Sequence, residues 1–116
     1  MITNFKIFEH VNETPQVGDY IVSSINFSTK DWNNYINNNI GKILSLSQSK
    51  TPYVIRYNIP EDLIHLYFDN YELDDVKEDK YGVRYIVMKL NRNDIIFYSD
   101  KLIECELFLK SKRYNI

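Results

Sequence analysis

The side chains best suited to metal binding or nucleophilic chemistry are two histidines and one cysteine, and their spacing supports neither. Neither His10 nor His65 has a histidine, cysteine or carboxylate at a zinc-ligand spacing. Glu61 precedes His65 by four residues, a separation at which side chains meet on one helix face, so a local pair is the reading there. Cys105 sits in an apolar C-terminal stretch, where a cysteine is a small inert core residue, and a lone cysteine closes no internal disulfide. The 16 acidic residues are too many for count alone to single out an acid/base pair. The phosphate loop G-x-x-x-x-G-K-S/T, the dinucleotide loop G-x-G-x-x-G and the serine elbow G-x-S-x-G are all missing, and 3 glycines could hardly build them. The chain therefore reads as a non-enzyme, with no cofactor and no metal.

Binding is the remaining class, and composition bounds it. The chain has 116 residues, 44% of them hydrophobic and 15% aromatic, which suits one folded domain over residues 1–116 with one core. Formal net charge is −2, so no global positive field gathers phosphates. Eight of the 16 acidic residues fall between Glu61 and Asp79, while Lys110, Lys112 and Arg113 make the C-terminal stretch basic. No basic segment followed by an apolar one opens the chain, and no run nears the roughly 20 apolar residues of a membrane helix. A soluble, cytoplasmic protein with no membrane partner is expected. Alanine is absent and Ile, Asn, Lys, Tyr and Phe abound. These residues have A/T-rich codons, which points to a phage, a virus or another A/T-rich genome.

Local patterns place the elements. Phe5–Glu9 reads as a short strand and Asp19–Phe27 as a second, with Ile21, Ser23, Ile25 and Phe27 on one face and Tyr20 and Val22 on the other. Ser28-Thr29-Lys30-Asp31 opens a helix over 31–37, with Trp32, Tyr35 and Ile36 on its apolar side, and Asn37-Asn38-Asn39 ends it. Ile40 starts a third strand, in which Gly41 predicts a bulge or tight bend. Tyr53–Tyr57 alternates most cleanly of all. Pro60, Glu61 and Asp62 open a helix running to about Asn70. Val83–Leu90 and Ile95–Tyr98 read as two antiparallel strands joined in a hairpin by the Asn91–Asp94 turn. Ser99 caps a C-terminal helix carrying Leu102, Ile103, Leu107, Phe108 and Leu109.

Gly18-Asp19-Tyr20-Ile21-Val22, followed after an interval by Ile40-Gly41-Lys42-Ile43-Leu44, resembles the KOW and wider SH3-like small-barrel pattern over about a third of the chain. Taken with the helices read above, the resemblance gives an α+β fold. It would be a small SH3-like, mostly antiparallel β-barrel with a short inserted helix, a helix after strand four and a C-terminal helix. The matching glycines would serve the backbone path. Where KOW proteins often place a short basic loop that touches RNA, this chain has the Trp32-containing insert and the Asn run.

Three binding roles fit these elements. The first is a protein-interaction module, with Trp32, Tyr35 and Arg56 as a contact patch, since Trp, Tyr and Arg anchor interfaces. In this role Asp74, Asp75, Glu78 and Asp79 form an acidic surface able to occupy the basic groove of a host nucleic-acid machine. The second is a KOW-type RNA- or DNA-binding barrel that uses Lys42, Arg56, Arg84 and Lys89 with stacking from Tyr53 or Tyr57. The third is a structural component of a virion or other assembly. Against all three stands the plain alternatives that most aromatics fill the core and that the acidic run is a solvated face.

Overall fold

The computed structural model describes residues 14–26, 30–60 and 76–113. The expected Phe5–Glu9 strand, the helix following Pro60 and the acidic pair Asp74 and Asp75 lie outside them. Six strands and two helices follow in order: β1 (Tyr20–Ser23), α1 (Lys30–Asn37), β2 (Gly41–Leu46), β3 (Tyr53–Asn58), β4 (Lys77–Glu78), β5 (Arg84–Leu90), β6 (Ile95–Ser99) and α2 (Leu102–Arg113). All strand pairings are antiparallel, in the sheet order β4-β5-β3-β2-β1-β6. The fold is mixed α+β.

The expected barrel is corrected to an open sheet, because among the described residues β4 and β6 are its two edges and no ladder joins them. The expected β5–β6 hairpin is also corrected: these strands are not paired, and β3, β2 and β1 lie between them. The reason is local. Asn91 and Asp94 form a reciprocal capping box around a single 3-10 turn, Arg92–Asp94, which carries the chain onward and does not reverse it into a two-residue hairpin. Four strand spacings in a flat sheet measure about 19 Å. A turn rising roughly 2 Å per residue cannot span that distance, so the sheet curls back on itself. Ile86 and Leu90 of β5 accordingly share one core with Ile95 and Tyr98 of β6. Register shifts at Val22/Ser23 and Ile43/Ser45 supply irregularities where a sheet bends.

The concave face holds the main core. Ile21, Ile43, Ile55, Tyr57 and Ile86 project from the strands, and α1 covers them with Trp32, Tyr35 and Ile36. The Asn run then closes α1 with side-chain amides: Asn38 and Asn39 donate to the Asn34 and Tyr35 carbonyls. Asn37 accepts from the Ile25 amide and donates to the Ile25 carbonyl. That clamp, with Ser24 N–H on the Asp94 carbonyl, turns the chain out of the ladder, so β1 ends at Ser23 and not at Phe27.

On the convex face α2 packs across β1 and β6. Cys105 and Leu109 meet Val22 and Phe97, and the Phe97 and Phe108 rings stack 4.6 Å apart. β1 is thus buried on both sides, which explains its imperfect alternation. Ser99 ends β6 and braces the turn into this helix without capping it: its hydroxyl accepts from the amide of Lys101, which precedes the first helical residue, and donates to the buried Glu104 carboxylate.

Candidate functional site

The covering of the convex face by α2 is partial. The helix packs chiefly on β1 and β6, and where it begins there is a hollow of about 510 Å³. Strands supply Tyr20, Lys42, Leu44, Arg56 and Asn58 to its lining, and α2 supplies Leu102. Register explains the gathering. Tyr20 stands opposite Lys42, Lys42 opposite Arg56, and Arg56 opposite Val87, so one row of side chains crosses four strands on one face.

Two cations directly opposite each other on a sheet repel. The structure answers by fixing Arg56. Its Nη2 donates to Asp79 Oδ2 at 2.8 Å, its Nε donates to Asn58 Oδ1 at 2.8 Å, and its guanidinium lies 4.0 Å from the Tyr85 ring centre. Asp79 also accepts from the Tyr81 and Val83 amides, holding the β4–β5 turn, where Gly82 takes a left-handed φ of 83°. The Arg56 guanidinium, followed by the Val83 amide, keeps the Asp79 carboxyl below its ordinary pKa. Lys42 is treated differently. Its ammonium rests 5.4 Å from the Tyr20 ring centre, and neither ion pair among the described residues includes it.

The structure divides the sequence-derived candidates. Trp32 and Tyr35 are buried beneath α1, and the Tyr35 hydroxyl donates to the Asn58 carbonyl. The expected patch with Arg56 is therefore not assembled: these aromatics belong to the concave core, and Arg56 stands on the convex face. Apolar helix spacing marks a buried face as well as a sticky one, and here the core claimed it. Of the acidic group, Glu78 faces Arg84 at 3.5 Å and Asp79 is bound by Arg56, so both already have cationic partners. Lys42, Arg56 and Lys89 do share the convex face, since Lys89 stands opposite Val54, two residues before Arg56. Tyr57 is fully buried and Tyr53 packs against the concave core, so neither joins them, and Arg84 is held at the β4 edge.

Tyr20, Asn58, Tyr85 and Leu102 were missed by sequence reasoning. The usable signal was strand alternation: once Lys42 and Arg56 are placed outward, every second residue of their strands and the partners opposite follow.

Among the described residues no group of three or more His, Cys, Asp or Glu side chains is arranged to hold a metal ion, and no helix is long and apolar enough to cross a membrane. No family model, curated protein or solved structure matches the chain.

Proposed function

We infer that the chain is a non-enzymatic protein-interaction module on a small SH3-like scaffold, and that its contact surface is the part of the convex face left open by α2. The hollow bounded by Lys42, Leu44, Arg56 and Leu102 carries this reading. It sets exposed apolar side chains beside polar groups held in place by the sheet and by the Arg56–Asp79 pair. Such a surface loses little conformational freedom on binding, which favours recognition. The short connection that bends β5 towards β6, in a sheet that curls without closing, is what favours the SH3-like part of the reading.

The test is capture from cell extract on the immobilised chain, with nuclease present, comparing wild type with Leu44→Asp. Leu44 is exposed, so the variant is expected to fold. A protein retained by the wild type and lost by the variant supports the reading. Equal retention by both removes the hollow from it.

A nucleic-acid role is favoured by the shared face of Lys42, Arg56 and Lys89. Two features weigh against it: Asp79 offsets the Arg56 charge, and the Tyr85 ring already carries the Arg56 guanidinium. Binding of single-stranded oligonucleotides that weakens steeply with salt would favour this second role.

A further inference from the structure

Resting on that reading, the charge inventory of the hollow identifies what it takes. The lining has two cations and no carboxylate. One cation, Arg56, is matched by Asp79, and its Nη2 and Nε donate to Asp79 and Asn58. Among the described residues no carboxylate pairs with Lys42, whose positive charge stands beside apolar Ile40, Leu44 and Leu102.

We propose that the hollow binds an extended protein segment in which an Asp or Glu stands next to a bulky apolar side chain, with the carboxylate on Lys42 and the apolar group against Leu44 and Leu102. One lysine matches the single charge of a carboxylate. A phosphate is better served by several donors or by an arginine whose charge is not already neutralised, and Arg56 here is ion-paired with Asp79. Nucleobases need open aromatic faces, whereas Lys42 lies over Tyr20 and Arg56 over Tyr85. The surface also continues along the strand row to Val87 and Lys89, so a chain segment can extend beyond the hollow. Lys42 supplies orientation and selection against basic segments, and the apolar contact supplies most of the affinity.

The experiment is selection of a displayed random-sequence peptide library on the full chain, followed by titration of synthetic copies of the enriched peptides. Enriched peptides are expected to carry Asp or Glu within one or two positions of Leu, Ile or Phe. Their affinity should fall about tenfold or more on Lys42→Glu, or on Lys42→Gln if the reversal fails to fold, and be unchanged on Lys50→Glu in the β2–β3 loop. Replacing the peptide acid with Lys should restore binding to Lys42→Glu. Peptides that lack acids yet are lost on Leu44→Asp would overturn the carboxylate and leave the contact surface standing. No enrichment, or peptides indifferent to both Lys42→Glu and Leu44→Asp, would overturn the two together. Retention of a single-stranded oligonucleotide pool at the Lys42 site in place of peptides would overturn the protein occupant.

Discussion

The ring of Tyr57 fills the space that a side chain on Gly41 would need. A Cβ at Gly41 would stand 2.7 Å from Tyr57 Cζ and would also clash with Ile55 Cγ2. Both neighbours are fully buried and cannot step aside. Gly41 thus serves close approach, where the sequence had suggested a bulge or a tight bend. The bulge lies further on, at Ile43/Ser45. Gly41→Ala should cost about 1–3 kcal/mol through overpacking, read as a lower urea midpoint at unchanged slope. Gly18→Ala meets no atom within 4 Å, yet its φ of 93° makes any Cβ unfavourable, so a loss of about 1–2 kcal/mol is expected by a different route.

The same tyrosine carries the buried polar contact of the core. Its hydroxyl lies 2.8 Å from the Ser23 hydroxyl, and burial pushes the phenol above its ordinary pKa, against the opposing effect of the Ser23 hydrogen bond. Tyr57→Phe strands the Ser23 hydroxyl in an apolar setting and should cost about 1–3 kcal/mol. Adding Ser23→Ala removes the stranded group, so the double variant should lose less than the two single losses combined. Strict additivity in urea unfolding would show that the two hydroxyls do not depend on each other.

Local order was readable from sequence and long-range order was not, for physical reasons. Tyr53–Tyr57 alternates because one face meets the core and the other carries Arg56, and α1 was marked by Trp32, Tyr35 and Ile36 at helical spacing. The β5–β6 relation failed because a turn cluster shows that the chain bends and says nothing of which strand it reaches. Here a 3-10 turn delivers β6 to β1, at the far side of the sheet. The three residues of the expected contact patch lie apart for a related reason: Trp32 and Tyr35 have the composition of an interface and the location of a core. Arg56 alone of that patch reached the open surface, and only the register of β2, β3 and β5 shows it beside Lys42 and Tyr85.

Protonation should loosen the turn beside the proposed contact surface. Asp79 holds its proton less tightly in the folded chain than in the unfolded one, because ionised Asp79 is bound by Arg56 and by two backbone amides. A lowered carboxyl contributes stability that is full above the ordinary carboxylate value and is lost as pH falls through the folded value. Urea unfolding of the wild type against Asp79→Asn should therefore show a gap near neutral pH that closes in acid. A gap independent of pH would mean that the turn is held by geometry alone.

Cys105 should report whether α2 stays in place. Its thiol is fully buried against Val22 and Phe97, and burial first, followed by the nearby Glu104 and Asp19 carboxylates, pushes it up to about 12. Because the thiolate is the reacting species, native Cys105 should be silent to a thiol reagent at neutral pH and react fully once denaturant is added. Labelling of the native chain then requires that the helix lift, so its rate measures that opening. Phe108→Ala deletes the ring stacked on Phe97 and should accelerate labelling while the concave core, on the other face of the sheet, keeps its structure. Since Leu102 at the start of the same helix forms one wall of the hollow, a segment that binds there should slow Cys105 labelling in proportion to its occupancy. A bound segment that left the rate unchanged would have to be seated elsewhere.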